Sequence, residues 1–262
     1  MVNVGVLASG RGSNFQAIAD HQHLGIFQNV NVRVLIYNNP EASAKHIAEK
    51  YGIAGHFVDH RNRDRIEFER QIVDLLNSSG VDLVCLAGWD RIVGSEFFQK
   101  YRWRIMNIHP ALLPSFGWKG LNARYVHEAA LEYGVKITGC TVYFIDVSVE
   151  KGPIILQHPV RVLESEIELF KNRREDAIQS LSDRVLIHEH QIYSKAIQLY
   201  ADGRLRVDEI VTRNKENRTN RVVSIDLRGE WKRKWDERQR PFIEAQRKTW
   251  TAKGVRVDEE SN

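Results

Sequence analysis

Two polar side chains, Asn107 and His109, have the types and spacing best suited to catalysis in this sequence. They lie two positions apart in the run NIHPALLP, at the end of a short apolar segment. Alternate residues of a strand point to the same face, so the amide and the imidazole should lie side by side. An amide can donate a hydrogen bond to a developing oxyanion, and an imidazole that titrates near neutral pH can carry a proton. The alternative is a core histidine that is satisfied by the backbone.

A second chemical signal is the glycine-containing turn ASGRGSN at residues 8–14. It follows an apolar run and opens a helical pattern, so the unpaired amides at the start of that helix could bind an anion. Gly12 lets the backbone turn sharply, and Ser13 and Asn14 add side-chain donors. The pattern is neither the dinucleotide fingerprint nor the P-loop, so an ordinary capped turn is the alternative.

A third signal is an acidic loop between two apolar runs, which contains Asp146 and Glu150. A carboxylate beside an imidazole favours its protonated form and can orient the ring or a water molecule. We therefore expect these two carboxylates to face His109. A solvated hairpin loop is the alternative.

The elements that must position these groups alternate between strands and helices over the first 110 residues. We predict strands at 2–8, 30–37, 57–59, 83–87 and 105–108, and helices at 14–25, 41–51, 64–76 and 95–101. This order is typical of an α/β fold with a doubly wound, mostly parallel sheet. Such sheets bind ligands at the carboxyl ends of their strands, where the turn and the Asn107 segment lie.

The second half of the chain departs from this order. We predict a helix at 122–133, long strands at 136–146 and 153–162, one or two helices over 165–200 and a last strand at 205–210. The two long strands would add an antiparallel C-terminal portion to the sheet. We divide the chain into a catalytic domain, 1–207, and a basic, partly helical C-terminal extension, 208–262. Pro241 should break or kink the helix of that extension.

Composition narrows the class of protein. The net charge is +4, and its basic part lies at the end of the chain, where residues 204–262 contain 16 Lys and Arg against 11 Asp and Glu. Mixed charge of this kind is typical of a solvated helix, and nucleic-acid binding is the less favoured alternative. The two cysteines lie in apolar runs, as buried thiols of a reducing compartment do. Without a signal-peptide pattern or an apolar run near ~20 residues, we expect a cytoplasmic protein with no membrane contact.

Four segments, in order, carry a family resemblance: GRGSN, NIHPALLPSF, a carboxylate shortly before GPIILQ, and EHQIYSKAI. Over about residues 2–207 the chain resembles the phosphoribosylglycinamide formyltransferases, or GAR transformylases, within the folate-dependent formyltransferases. The resemblance implies formyl transfer from 10-formyltetrahydrofolate to the amine of glycinamide ribonucleotide in purine biosynthesis, without a metal. A homodimer is left open.

The resemblance also implies roles for individual residues. The phosphate of the ribonucleotide would bind at Gly12, Ser13 and Asn14, and Glu189 would contact its amino end. The residues expected to bind the folate are Arg65, Arg91, Ile92, Val93 and Asp146. The catalytic group would be Asn107, a protonated His109 and Glu150.

Three positions depart from the family pattern: Glu150 replaces Asp, Asp90 replaces an apolar residue, and Tyr143 replaces a common His. They keep three alternatives open. One is hydrolysis of formyltetrahydrofolate, with water as the acceptor. Another is transfer to Met-tRNA, and the third is a non-catalytic homologue that binds folate or a nucleotide.

Overall fold

The computed structural model describes residues 1–117, 122–146, 152–211 and 219–255. Glu150, which we expect to be catalytic, lies outside these ranges. None of the helices in these ranges is long and apolar enough to cross a membrane.

A seven-stranded sheet forms the centre of the protein. Its strands are β1 (Val2–Leu7), β2 (Val30–Tyr37), β3 (Ala54–Phe57), β4 (Leu83–Leu86), β5 (Ile105–His109), β6 (Ile137–Phe144) and β7 (Ile154–Arg161). The spatial order is β3-β2-β1-β4-β5-β6-β7, with β1 to β5 parallel and the last two strands antiparallel. The predicted α/β fold, a mostly parallel sheet with an antiparallel portion, is therefore confirmed. The order reverses between β1 and β4, and such a switch point opens a crevice at the carboxyl ends of the strands.

Helices cover both faces of the sheet. They are α1 (Ser13–His23), α2 (Ala44–Tyr51), α3 (Arg65–Ser78), α4 (Ser95–Tyr101), α5 (Ala123–Tyr133), α6 (Glu164–Asn172), α7 (Arg174–Ala201) and α8 (Trp231–Ala252). Apolar residues of α1, α5, α7 and α8 form one core with one face of the sheet, and those of α3 and α4 form the other core. This arrangement explains why β4, sequence LVCL, is apolar at every position: both of its faces are buried.

Local sequence determines how these helices begin and how closely they pack. Asp64 caps α3 by accepting hydrogen bonds from the amides of Ile66 and Glu67, as its side-chain type favours. In β1, Gly5 is needed for close packing, because an added Cβ would lie 2.5 Å from Leu76 Cδ2 on α3. The first strand and the third helix therefore approach each other more closely than larger residues would allow.

The C-terminal part adds a hairpin and a long helix. Strands β8 (Leu205–Val211) and β9 (Thr219–Ile225) pair antiparallel, and β9 was not predicted. Strand β8 crosses residue 207, where we placed the domain boundary, and Trp235 of α8 is fully buried in the main core. The division into two units stays a prediction.

The position of the third strand was predicted wrongly, and so was the break expected at Pro241; the alternative, a kink there, stays a prediction. The third strand is Ala54–Phe57 instead of 57–59, because backbone pairing with β2 determines its position and its own residues are mostly exposed. Pro241 does not end the last helix, which continues from Trp231 to Ala252. The proline is exposed, so the carbonyl that lacks its usual amide partner can be hydrated, and the buried neighbour Phe242 keeps the helix packed.

Candidate active site

The glycine turn lies at the carboxyl end of β1 and leads directly into α1. Gly12 is the N-cap of that helix with φ of 76°, a left-handed conformation that favours glycine. An added Cβ there would lie 2.8 Å from the Cβ of Ala44 on α2, so packing also requires glycine. The backbone amides of Ser13 and Asn14 belong to the first turn of α1, where helix geometry supplies no carbonyl partner. The turn therefore has the geometry of an anion-binding helix start.

A buried contact joins this turn to α7. Asn14 Nδ2 donates to Glu189 Oε2 at 2.7 Å, and both residues are 7% exposed. Burial raises the pKa of the Glu189 carboxyl, while the hydrogen bond from Asn14 and the charge of Arg11 oppose that shift. The other amide atom, Asn14 Oδ1, is buried and meets no donor among the residues that the structure describes. The predicted ribonucleotide residues Asn14 and Glu189 thus form one polar group, although 175 positions separate them.

Asn107 lies on β5 beside the antiparallel strand β6. It pairs with Tyr143 across the two strands, and its Nδ2 donates to the Tyr143 hydroxyl at 2.9 Å. An amide nitrogen carries two hydrogens, so the second N–H can donate elsewhere. Tyr143 is therefore a neighbour that orients the predicted catalytic amide.

His109 lies two residues further along, at the carboxyl end of β5, and is 4% exposed. Its Nε2 lies 3.1 Å from the carbonyl oxygen of Phe116. Burial lowers the pKa of His109, and the contact with Phe116 opposes that effect only in part. Burial therefore favours the neutral imidazole, whereas the family resemblance implies the protonated form. The carboxylate expected to raise this pKa, Glu150, lies outside the described residues.

The loop after His109 is held by the antiparallel strands. Thr141 Oγ1 donates to the Ala111 carbonyl at 2.7 Å and accepts from the Leu113 amide at 3.0 Å. Gln157 Nε2 donates to the Leu113 carbonyl at 3.0 Å. Sequence reasoning missed Thr141 and Gln157, because nothing in the apolar strand pattern distinguishes them as supports for the catalytic segment.

Tyr193 connects α7 to the sheet next to Asn107. Its hydroxyl lies 2.9 Å from the carbonyl oxygen of Met106 and 3.1 Å from that of Leu86. Glu189 lies one helical turn before Tyr193. This contact therefore places the Glu189 carboxylate near the carboxyl ends of β4 and β5. The structure therefore brings the Asn14–Glu189 pair and the Asn107–His109 pair to the same edge of the sheet.

The residues predicted to bind folate lie after β4 and at the start of α3. Arg65 Nε donates to Glu69 Oε1 at 2.8 Å, and its Nη2 lies 3.4 Å from the Ile92 carbonyl oxygen. Ile92 is 45% exposed, whereas Val93 is buried in the core with α3 and α4. The structure thus brings Arg65 and the 91–93 segment together, with Ile92 on the surface and Val93 facing inward.

Asp90, the unexpected acidic residue, ties together three strand ends. Its Oδ1 accepts from Ser9 Oγ at 2.9 Å and from Asn38 Nδ2 at 2.7 Å, and Arg91 Nε lies 3.3 Å away. Burial would raise the pKa of Asp90, but the hydrogen bonds from Asn38 and Ser9, with Arg91, outweigh it and lower the pKa. The carboxylate is therefore ionised at neutral pH and turned toward the glycine turn.

Asp146 lies away from His109, contrary to our expectation that it faces the imidazole. In the antiparallel register, His109 is opposite Thr141 and Met106 is opposite Phe144, while the amide of Ile145 donates to the Ile105 carbonyl. Asp146 therefore lies beyond the amino end of β5, and His109 lies at its carboxyl end. There the carboxylate accepts from Arg221 Nη1 on β9 at 3.1 Å.

The described ranges contain no group of three or more His, Cys, Asp or Glu side chains that could hold a metal ion. Cys85 and Cys140 are both buried and unpaired as thiols. Burial raises the pKa of Cys85 to about 12, so this thiol is not nucleophilic at neutral pH.

Comparison with known proteins agrees with this geometry. Residues 2–197 match the family model described as formyl transferase. The chain is 40% identical over 207 residues to the human trifunctional purine biosynthetic protein adenosine-3, covering 79% of this chain but 19% of that protein. It is 35% identical to the phosphoribosylglycinamide formyltransferase of Escherichia coli, covering 79% of this chain and 91% of that one.

Solved structures of proteins with these names are also similar to this chain. The crystal structure of glycinamide ribonucleotide transformylase 1 from Symbiobacterium toebii superimposes with a TM-score of 0.72 at 37% identity. The superposition covers 86% of this chain and 94% of that chain. The trifunctional relatives are much longer, and this chain spans about a fifth of their length.

Proposed function

The chain belongs to the formyl transferase family, and we propose that it transfers a formyl group from 10-formyltetrahydrofolate to the amine of glycinamide ribonucleotide, a step of purine biosynthesis. One observation carries this proposal. The anion-binding turn with its Asn14–Glu189 pair and the Asn107–His109 pair lie at the same edge of the sheet, at the crevice of the switch point. A phosphorylated amine bound there would have its two ends at these two groups.

The acceptor side of the cleft, defined as Gly12, Ser13, Asn14 and Glu189, suits a sugar phosphate. The first-turn amides of α1 and the positive end of its dipole favour the phosphate. Asn14 Oδ1 is a buried acceptor that a substrate hydroxyl or amine could satisfy. Glu189 supplies a second acceptor beside it. A ligand with both an anion and hydrogen-bond donors fits this side best.

The donor side, defined as Arg65, Arg91, Ile92 and Val93, suits a folate. Exposed Ile92 offers an apolar surface, and nearby Trp89 stacks on Phe68 with a centroid distance of 6.2 Å. Arg65 lies beside the carbonyl of Ile92 and can pair with the carboxylates of the folate tail. Asp146, also predicted to bind the folate, pairs with Arg221 beyond the amino end of β5 and is not part of the donor side.

The proposed chemistry is direct acyl transfer. The amine nitrogen attacks the formyl carbon, and the carbonyl electron pair moves onto the oxygen. The second N–H of Asn107 stabilises that oxyanion, an interaction typically worth ~3–4 kcal/mol of barrier. Collapse then breaks the bond to the folate nitrogen, which receives the proton lost by the attacking amine, and tetrahydrofolate is released.

His109 is assigned a proton-transfer role in this sequence of steps. Because its neutral form is favoured, it can accept the proton of the attacking amine and pass it on. Glu150 is the proposed carboxylate partner of this relay, and its longer side chain changes the reach relative to the family Asp. A misplacement of 1 Å can reduce the rate about a hundredfold, so this position sets how active the enzyme is.

The deciding experiment is an assay of tetrahydrofolate release by purified, folded protein. We expect release that depends on added glycinamide ribonucleotide, with a stoichiometric formylated product. Protein carrying His109→Ala, purified in the same way, is the control for contaminating enzymes of the expression host. Release at the same rate without the ribonucleotide would instead support the hydrolytic alternative, and no turnover would reject formyl transfer.

The remaining proposals concern the setting of this activity. We place the enzyme in the cytoplasm, where it would act on small molecules and not on nucleic acid. A homodimer is a proposal that sedimentation analysis can test.

A further inference from the structure

Helix α8, which lies beyond the residues that match the family model, packs on the two helices of the acceptor side. Its residues Trp235 and Phe242 are buried in the main core, together with Gln239 and Gln246. The ring of Trp235 stacks on that of His21 of α1 at a centroid distance of 6.1 Å. The ring of Phe242 lies 4.2 Å from the same imidazole, also between centroids. The helix therefore contacts α1 by aromatic packing as well as by polar groups.

Gln239 joins α1 to α7 directly. Its amide nitrogen donates to His21 Nε2 on α1 and to the Gln191 carbonyl on α7, both at 3.1 Å. Its amide oxygen accepts from Trp235 Nε1 at 3.1 Å. Both N–H groups and the oxygen of this side chain are thus used, at 5% exposure. A fully satisfied buried amide of this kind fixes the separation of the elements that it joins.

Gln246, seven residues after Gln239, makes a second contact two turns further along the same face of α8. Its Nε2 lies 2.8 Å from His190 Nδ1, and its Oε1 accepts from Gln191 Nε2 at 3.2 Å. His190 follows Glu189 directly, so Gln246 holds α7 at the position of the acceptor-side carboxylate. Together, Gln239 and Gln246 connect α8 to both helices.

The two histidines of this network are neutral. Burial lowers the pKa of His21 to about 4 and that of His190 to about 3. His21 Nδ1 lies 2.7 Å from the Ala17 carbonyl, so that nitrogen carries the proton and Nε2 accepts from Gln239. The hydrogen-bond directions in the network are therefore consistent with one another at neutral pH.

Position along the helices links this network to the site. His21 lies seven residues after Asn14 on α1, so both side chains point to the same face of that helix, toward α7. Asn14 meets Glu189 there, and His21 meets the α8 residues two turns further on. A change in the α1–α7 separation at His21 would therefore alter the Asn14–Glu189 contact.

We propose that Gln239 and Gln246 are positioning residues, through which α8 sets the separation of α1 and α7 and thereby the affinity for the phosphorylated acceptor. This inference rests on the proposed function for its substrate. It assigns the C-terminal helix a role in acceptor binding without contact between α8 and the acceptor.

The test is kinetic. Gln239→Leu removes both bridging donors and introduces an apolar side chain of similar size, and Gln246→Met is a milder second variant. We expect KM for glycinamide ribonucleotide to rise about tenfold in Gln239→Leu and less in Gln246→Met, since small displacements at a binding site are costly. We expect kcat and the KM for 10-formyltetrahydrofolate to stay within twofold of wild type. Arg240→Leu introduces the same side chain at the exposed neighbouring position. It is the matched control and should leave all constants unchanged.

A purely structural role would give a different result. Gln239→Leu would then lower the melting temperature without a change in KM, or would lower kcat and both affinities together, and either result overturns the proposal. Hydrogen exchange at the amides of α1 and α7, and calorimetric binding of ribose 5-phosphate, need no turnover. If wild type fails to transfer formyl groups, the proposed function falls. Faster exchange and weaker sugar-phosphate binding in Gln239→Leu alone would still support the positioning role, and unchanged values would reject it.

Discussion

The proposed acceptor and donor sides of the cleft both rely on polar side chains, but these are buried on the acceptor side and exposed on the donor side. On the acceptor side, Asn14 and Glu189 are almost completely buried. On the donor side, the side chains of Arg65 and Arg91 are 59% and 45% exposed. Loss of one partner of a buried contact leaves the other unsatisfied, whereas exposed ion pairs are screened by water and salt. Substitutions on the two sides should therefore have very different effects, even where the distances are alike.

The largest effect should come from Asn107, which lies between the two sides. Asn107→Ala removes the proposed oxyanion donor, so we expect kcat to fall by about 10²–10³ with little change in either KM. Steady-state kinetics with both substrates measures this. Asn31→Ala, a partly exposed asparagine on β2, is the control. A loss of kcat below fivefold would remove Asn107 from the catalytic group.

Acid should lower the free energy of unfolding mainly through the buried histidines and much less through exposed ones. The pKa of His21 and that of His127 are lowered by burial to about 4 from 6.5, so the unfolded state binds more protons between these values. Stability is therefore fully present above pH 6.5 and is lost as the pH falls toward 4. At pH 5 the loss is about 2 kcal/mol for each histidine.

Urea unfolding at pH 7 and pH 5 measures this pH dependence. His21→Asn should reduce the difference between the two pH values, while His46→Gln, at an exposed position, should leave it unchanged. Equal dependence in all three proteins would show that His21 is not the titrating group.

On the acceptor side, Glu189→Gln keeps the size of the side chain and removes its charge. We expect KM for the ribonucleotide to rise about tenfold, the typical cost of weakening a buried charge-assisted hydrogen bond. The exposed Glu132→Gln is the control. Unchanged affinity for the ribonucleotide would place the acceptor elsewhere.

On the donor side, Arg91→Gln should have the smallest effect. The pair with Asp90 is about half exposed on both partners, so its loss should change stability by at most ~1 kcal/mol. We expect KM for 10-formyltetrahydrofolate to rise less than fivefold. A larger rise, measured in the same assay, would mean that the guanidinium contributes more to folate binding than a half-exposed, screened group should.

Much of the fold followed from local pattern, because the elements concerned obey periodicity. Apolar runs located β1, β2, β4 and β5 to within a residue or two, and the polar pair of Asn107 and His109 was visible from spacing. The position of β3 was missed, since its residues are exposed and only pairing with β2 defines it. Strand β9 was missed because a charged stretch concealed its apolar residues, Val222, Val223 and Ile225.

Contacts distant in sequence were beyond pattern reasoning. No spacing rule joins Asn14 to Glu189, or Gln239 to His21; the family resemblance supplied the first pair of residues and nothing supplied the second. The protonation of His109 stays a prediction, because burial lowers its pKa while its expected partner, Glu150, lies outside the described residues. Asp146 was placed near His109 by its position in the loop, whereas the strand register puts it at the other end of β5.

The most direct measurement compares glycinamide ribonucleotide with the same acceptor lacking its phosphate, in the tetrahydrofolate-release assay. If the glycine turn binds the phosphate while Asn107 stabilises the oxyanion of the formyl group, removal of the phosphate should raise KM by about a hundredfold or more. Equal turnover of the two acceptors would contradict binding at the turn and formyl transfer by this arrangement.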